Sequence, residues 1–165
     1  YHATGLNQIV EESEAPKGSL YHYFPEGKEQ LAGEALREAG VDLQLKFRDA
    51  LGLEPGAALE QLVEISIDEL ERSDYRDGCP IATVALETNS TSPHLREICR
   101  EVLDRALQSV QRAFMSRGLP AHEAETLALT VFSTFEGALM LSKVRRSPEP
   151  LRRIVAPLKR LLGQG

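Results

Sequence analysis

Residues 4–28 read TGLNQIVEESEAPKGSLYHYFPEGK, and this stretch predicts two short helices joined by a tight turn. Thr4 is placed to cap the first helix. The apolar residues of that helix recur at i, i+3 and i+4, the spacing of a one-sided face: Leu6, Ile9 and Val10. Ser13 to Ala15 would form the turn. Pro16 suits the first position of the second helix, where its missing N–H costs no hydrogen bond.

The second predicted helix has an unusual outer face. Leu20 and Phe24 are four residues apart and would anchor the helix to the core. The other positions carry hydroxyls, rings and a cation: Lys17, Gly18, Ser19, Tyr21, His22 and Tyr23. Gly18 would let the backbone approach closely, and hydroxyls and amides can bind phosphate oxygens. Lys28 stands at a predicted helix start, where a cation opposes the helix dipole, so it indicates an anionic partner. Together these features predict a helix-turn-helix whose second helix enters the major groove of DNA.

The same residues resemble the DNA-binding region of the TetR/AcrR family of transcriptional regulators. The agreement covers residue type and spacing at Tyr1, Thr4, Ile9, the run 17–24 and Lys28. The resemblance implies that four residues grip phosphates: Thr4, Lys17, Tyr23 and Lys28. It implies that four others lie against the groove: Gly18, Ser19, Tyr21 and His22. The fold that it implies is all-α and TetR-like.

Two departures from the family pattern carry expectations of their own. Glu14 stands in the turn where the family usually has glycine. If that position needs a positive φ, a residue with a Cβ costs on the order of 1 kcal/mol. In the family a further helix precedes the position of Tyr1, so we expect the helix-turn-helix domain to lack its first helix here.

Charge argues against a DNA-binding role and has to be weighed. Residues 1–28 carry two lysines against four glutamates, a formal charge of −2, and the whole chain carries −6. A basic footprint is the usual expectation for a protein that binds DNA. Composition alone therefore favours a solvated helical pair without a DNA role, but the residue pattern outweighs it.

Other classes of protein find little support. The two cysteines lie twenty residues apart without a CxxC motif, which suits a reducing cytoplasm and indicates neither a disulfide framework nor a zinc site. The sequence has no HExxH, no GxSxG and no complete phosphate loop. We therefore predict that the chain is not an enzyme and needs no cofactor and no metal.

Helical periodicity continues along the rest of the chain, and no strand is predicted. Helices are expected at 28–51, 57–72, 81–87, from 92 or 93 to Gly118, at 127–141 and at 150–162. We predict a DNA-binding domain with its connecting helix over residues 1–45 and a ligand-binding and dimerisation domain over residues 46–165. Two segments of the second domain, 77–87 and 136–151, resemble LmrA/YxaF-type effector domains.

The last two helices predict a homodimer. Residues 127–141 are apolar nearly all round, with Glu136 the one charge, so this helix needs partners on more than one side. A helix of fifteen residues is too short to span a bilayer, so we predict no contact with a membrane. The residues expected at the interface are Leu129, Phe132, Gly137, Leu141, Leu151, Ile154, Leu158 and Leu161. Pro157 is expected to kink the last helix or shift its pairing. The alternative is one well-packed monomeric bundle.

An effector site is the remaining hypothesis. A mostly apolar interior with a few polar groups is the usual form of a small-molecule site. The residues expected to line it are Phe47, Leu62, Ile65, Ser66, Thr83, Leu107, Val110, Phe114, Phe132, Phe135 and Glu136. These residues could equally fill a core, and Glu136 could instead make an ion pair or hydrogen bond at the interface.

By resemblance, the chain is a ligand-responsive repressor. It would bind a palindromic operator in double-stranded DNA as a homodimer and be released by a small apolar or aromatic effector. The alternative is a dimeric helical module that binds a small molecule and no longer binds DNA.

Overall fold

The computed structural model describes residues 1–163, apart from the side chains of Phe47, Asp49 and Leu51. Within that part every regular element is α-helical, as the sequence predicted. The helices are α1 Leu6–Ser13, α2 Lys17–Tyr23, α3 Lys28–Leu51, α4 Pro55–Arg72, α5 Pro80–Thr88, α6 Pro93–Met115, α7 Ala121–Arg145 and α8 Glu149–Leu161.

Most helix boundaries follow the local signals in the sequence. The long helix α3 runs from Lys28 to Leu51, as its four-residue apolar repeat predicted. Helix α4 begins two residues earlier than expected, because Pro55 occupies its first position and Glu54 its N-cap. Helix α8 continues through Pro157, which lies on its exposed side.

Helix α7 is longer than the sequence suggested. It spans 25 residues rather than fifteen, because its first two turns are polar and carry no apolar repeat. By length and apolar composition it could cross a membrane, so the argument from a short helix was wrong. In the structure its buried residues Ala138 and Leu139 pack in a core with α4 and α8.

The chain forms two compact units that are not continuous in sequence. The first comprises residues 1–41 and 80–103, and the second comprises residues 42–79 together with the chain from Asp104 onwards. The domain boundary predicted between residues 45 and 46 falls within α3 and stays a prediction.

In the first unit, α3 and α6 approach each other closely at two glycines. A Cβ added at Gly33 would lie 2.9 Å from Ile98 Cδ1, and one added at Gly40 would lie 2.9 Å from Val102 Cγ2. Real Cβ atoms essentially never come so near another carbon. Gly40 therefore needs to be glycine for α3 to pack against the stiff side chain of Val102, whereas at Gly33 the end of the Ile98 side chain could move aside.

Buried residues of the described part of the second unit form two clusters. One joins α4, α7 and α8 and contains Val63, Ile67, Leu139, Leu151 and Leu158. The other joins α6 and α7 through residues that include Val110 and Phe114. Leu151 and Leu158, which we expected at a dimer interface, are 0% and 4% exposed, so they belong to the core of their own chain.

Candidate functional site

The turn between α1 and α2 has the strained geometry that the sequence suggested. Glu14 adopts φ 54°, in the left-handed region that favours glycine, and its amide donates a hydrogen bond to the carbonyl of Glu11 at 3.4 Å. The N-cap of α1 is Gly5 rather than Thr4, and it makes no side-chain capping bond. Half-buried Thr4 donates its amide to the carbonyl of Tyr1 instead.

Helix α2 presents one buried residue and an open outer face. Leu20 is buried, as predicted, whereas Tyr21 and Tyr23 are 50% and 70% exposed. The remaining residues of the predicted DNA-binding set on this helix are exposed, except for half-buried Ser19: Lys17, Gly18 and His22. A Cβ at Gly18 would meet nothing within 4 Å, so the backbone there is open to close approach. The exposed face of α2 can therefore contact a partner through tyrosine rings, the ammonium group of Lys17 and the backbone at Gly18.

Lys28 is the first residue of α3, and its side chain contacts Tyr1, which precedes α1. Its Nζ donates a hydrogen bond to the carbonyl oxygen of Tyr1 at 2.6 Å and lies 4.2 Å from the centre of the Tyr1 ring. An ammonium group has three N–H donors, so this contact leaves donors for a phosphate oxygen. The two contacts with Tyr1 hold the ammonium group in one place.

The second unit contains a cavity of about 50 Å³ that is partly open to solvent. Its walls come from α4, α6 and α7 and from the adjoining turns, and they are almost wholly apolar. Five of the residues expected in an effector site line it: Leu62, Val110, Phe114, Phe132 and Phe135. Phe132 was also expected at the dimer interface, and the structure shows it in the wall of this cavity.

The other expected effector residues do not line this cavity. Ile65, Ser66, Leu107 and Glu136 belong to the same unit but are absent from its walls. Thr83 is exposed on α5, in the first unit, and the side chain of Phe47 lies outside the described residues. A helix with a broad apolar face gives the same sequence pattern whether a side chain points to a cavity or to solid core, so the sequence could not separate these residues from those of the wall.

Several cavity residues were not predicted. They are Leu53, Pro55, Ala58, Leu59, Ala113, Arg117, Val131 and Leu162. Most are ordinary apolar residues at helical spacing and carry no signal of their own. Arg117 is the exception in type, and its place just before Gly118, at the break after α6, could have drawn attention to it.

Glu136 is satisfied inside its own chain. It is half-buried on α7, and the thiol of Cys79 donates a hydrogen bond to its carboxyl group. Burial raises the pKa of Glu136 above its ordinary value, and the hydrogen bond from Cys79 opposes that rise. This contact answers the need of a buried carboxylate for a partner, without a ligand.

An apolar surface runs along the outer side of α7 and the end of α8. It includes Leu129, Met140, Leu141, Val144 and Leu161, each at least two-fifths exposed. Gly137 lies among them, and a Cβ there would meet nothing within 4 Å. Ile154, the remaining residue expected at an interface, packs half-buried against the core. Met140 and Val144 were not predicted.

Comparisons with known proteins place both ends of the chain in one family of proteins. A family model described as "Bacterial regulatory proteins, tetR family" matches residues 1–35. A second, "Transcriptional regulator LmrA/YxaF-like, C-terminal domain", matches residues 55–156. The HTH-type transcriptional regulator YxaF of Bacillus subtilis is 37% identical over 92% of this chain and 80% of its own length. The HTH-type transcriptional regulator LmrA of the same organism is 32% identical over 98% and 87%.

Solved structures show the same fold. A TetR transcriptional regulator from Chloroflexus aurantiacus has 29% identity and a TM-score of 0.76 over 99% of this chain and 86% of its own. The regulatory protein TetR from Rhodobacter sphaeroides has 24% identity and a TM-score of 0.84 over 99% and 88%. The predicted TetR-like, all-α fold is thereby confirmed.

Proposed function

This chain belongs to the TetR family of bacterial transcriptional regulators, and we propose that it is a ligand-responsive repressor that binds a palindromic operator as a homodimer. Regulators of this kind bind DNA and are generally not enzymes, and an operator on the chromosome would be met in the cytoplasm. The observation that carries the proposal is the outer face of α2, where Lys17, Tyr21 and Tyr23 are exposed around buried Leu20.

The residues of α2 and its surroundings would divide the work of binding. Lys17, Tyr23, Thr4 and Lys28 would hold phosphates and set the position of the helix, which carries no sequence information by itself. Tyr21, His22, Ser19 and Gly18 would lie against the base edges in the major groove, where each base pair has its own pattern of donors and acceptors.

Dimerisation is supported by the apolar surface on α7 and α8. In a monomer this surface exposes apolar side chains to water, which is unfavourable: Leu129, Met140 and Val144. A second copy of the chain would bury them in an isologous contact. Gly137 would allow close approach of the partner helix, because nothing of its own chain occupies the space beside it. A two-fold dimer would contact two half-sites roughly 34–36 Å apart, so the operator should be a palindrome.

Ligand response is supported by the cavity in the second unit. A concave, apolar space walled by Phe114, Phe132 and Phe135 is suited to a small apolar or aromatic molecule. The effector would release the protein from its operator by binding more tightly to the form that has low affinity for DNA.

The proposal is tested by selecting operators from a random pool of double-stranded oligonucleotides with the full-length protein. We expect the enriched sequences to share a palindrome with two half-sites, and the affinity for it to fall steeply with added salt. Enrichment of single, non-repeated sites would contradict the dimeric operator.

One observation favours the second candidate function, a small-molecule-binding module without DNA binding. The helix-turn-helix stretch, residues 1–28, carries a formal charge of −2. A protein of this kind would enrich nothing and would not bind a duplex even at low salt, where electrostatic attraction to phosphates is strongest. Binding of any duplex at low salt excludes it.

A further inference from the structure

Glu87 lies in the last turn of α5 and is bonded to the chain that precedes α1. Its Oε2 atom accepts a hydrogen bond from the amide of His2 at 2.8 Å and lies 2.7 Å from the backbone nitrogen of Tyr1. The ring Nε2 of His2 lies 3.2 Å from the carbonyl oxygen of Glu87. His2 and Glu87 are 85 positions apart in the sequence but belong to the same compact unit, so α5 holds the residues before α1 in place.

The amide of His2 and the carbonyl of Tyr1 are the two sides of one peptide group, here called the 1–2 peptide. Its carbonyl oxygen accepts a hydrogen bond from Nζ of Lys28 at 2.6 Å and a longer one from the amide of Thr4 at 3.3 Å. A single planar group therefore joins the carboxylate of Glu87 on one side to an ammonium group on the other. Hydrogen bonds with a charged partner are stronger than neutral ones, and bonds in a chain polarise one another. The carboxylate thus strengthens the hold of the 1–2 peptide on Lys28.

Two effects of Glu87 on DNA binding have opposite signs. A carboxylate in the unit that contains α2 repels phosphates, so Coulomb's law alone predicts that its removal strengthens binding. Its bond to the 1–2 peptide predicts that its removal weakens binding. A lysine side chain has many rotamers, and an ammonium group that is already held loses less entropy when it contacts a phosphate. The sign of the measured change therefore tells which effect is larger.

We propose that Glu87 is a positioning residue for DNA binding, which acts through the 1–2 peptide to hold the ammonium group of Lys28 where it would contact a phosphate. The inference rests on the proposed binding of DNA by the helix-turn-helix and adds a residue from outside that motif. Glu87 lies within residues 55–156, which match the C-terminal family model, whereas the residues that it holds lie within residues 1–35. The C-terminal part of the sequence thereby contributes a side chain to the unit that contains the helix-turn-helix.

The experiment measures the affinity of the full-length protein for the selected operator and for a random duplex by fluorescence anisotropy. We expect Glu87→Ala to weaken binding about fivefold, a factor within the range that the net free energy of one hydrogen bond gives. The loss should be equal on both duplexes, because phosphate contacts carry no sequence information. Glu87→Gln keeps an acceptor oxygen for the amide of His2 and should restore most of the affinity.

Glu26→Ala is the matched control. Glu26 is an exposed glutamate two residues before Lys28, and its side chain makes no hydrogen bond or ion pair among the described residues. The variant removes the same charge without removing a contact, so it should bind both duplexes at least as tightly as the wild type.

A double-mutant cycle tests whether Glu87 acts through Lys28. In the Lys28→Ala background, Glu87→Ala should cost little further affinity, because the side chain that it positions is already gone. A readout without DNA tests the contact itself. In protein labelled with nitrogen-15 at its histidines, the amide of His2 should shift as the carboxylate of Glu87 is protonated in an acid titration. This shift should be absent in Glu87→Gln.

The outcomes separate this inference from the function on which it rests. Unchanged or tighter binding by Glu87→Ala, additive losses in the cycle, or an amide of His2 that does not titrate would each overturn the role of Glu87, while the regulatory function stands. A wild-type protein that binds no duplex at low salt would overturn DNA binding and the inference with it. Weaker binding that disappears in the Lys28→Ala background supports both.

Discussion

The outer face of α2 and the apolar helices of the second unit differ in how clearly their sequences indicate their roles. On α2, Tyr21, Tyr23 and Lys17 stand exposed on a short helix, where aromatic rings gain nothing from water. Each of these exposed residues by itself indicates that the face meets a partner. In the second unit leucine and phenylalanine occupy core, cavity and surface alike. Hydrophobicity places a residue on a face of a helix, but it does not distinguish which kind of neighbour that face meets.

The largest effect of a substitution is expected in α8, where buried and exposed leucines alternate and the sequence does not distinguish them. Leu151→Ala should lower the free energy of unfolding by about 2–5 kcal/mol, since it opens a cavity at a side chain that is 0% exposed. Leu161→Ala, at a position 52% exposed, should change dimer dissociation instead. Urea unfolding and sedimentation equilibrium measure the two quantities. Equal loss of stability in both variants would mean that the distinction between core and interface is wrong.

A smaller effect, on DNA affinity, is expected for substitutions on α2, and it tests which tyrosine contacts phosphate and which contacts bases. Tyr23→Ala should weaken binding about tenfold on the selected operator and on random DNA alike, because phosphate contacts are independent of sequence. Tyr21→Ala, the matched variant, should weaken operator binding more than random binding. Fluorescence anisotropy with both duplexes gives the ratios. A loss at Tyr23 that depends on sequence would reverse the two roles.

In the turn before α2, one substitution is expected to raise stability instead of lowering it. Glu14→Gly should stabilise the helix-turn-helix by about 1 kcal/mol, because glycine adopts φ 54° without the steric cost of a Cβ. The same substitution at Glu12, inside α1, should destabilise it by roughly 1 kcal/mol. Hydrogen exchange of the amides in α1 and α2 reports both changes. A destabilising Glu14→Gly would show that the glutamate has a role beyond the turn.

The smallest effect is expected at Glu136, and it depends on pH. Burial raises the pKa of its carboxyl above the ordinary 4.5, so the folded state holds the proton more tightly than the unfolded state. The stability that this gives is present below pH 4.5 and is lost as pH rises through the folded-state pKa. Glu136→Gln should therefore raise the melting temperature at pH 7 relative to wild type, and the gain should shrink toward pH 4.

Glu125→Gln, at an exposed glutamate of the same helix, is the control for this pH dependence and should show no such gain. If Glu136→Gln were destabilising at pH 7, the hydrogen bond from Cys79 would outweigh the cost of burying the charge.

The sequence predicted most helices well because they carry strong local signals; the first two turns of α7, which lack such a signal, were missed. Pro93 and Gly118 mark boundaries through the conformation of their own backbone, and the apolar repeat from Leu31 to Leu51 in α3 spans about six turns. The positive φ of Glu14 was also foreseeable, from the glycine that the family usually has there.

The cavity could be predicted only in part. Its phenylalanines were identified because they are large and few, whereas Ala58, Ala113 and Leu59 are indistinguishable in sequence from core residues. The bond from Arg117 to Leu53 joins positions 64 residues apart, and no local pattern encodes such a contact. For the same reason the bond between Cys79 and Glu136 could not be foreseen.

The two glycines of α3 have a mechanical consequence. Gly33 and Gly40 are seven residues apart, close to two full turns, so both contacts with α6 lie on one side of the helix, about 10 Å apart along its axis. The side chains of Ile98 and Val102 of α6 pack in the spaces beside these glycines. At Gly40 the neighbouring atoms are the branched methyl groups of Val102, which have little freedom to move aside, so this contact fixes the register of α3 against α6 more firmly than the one at Gly33.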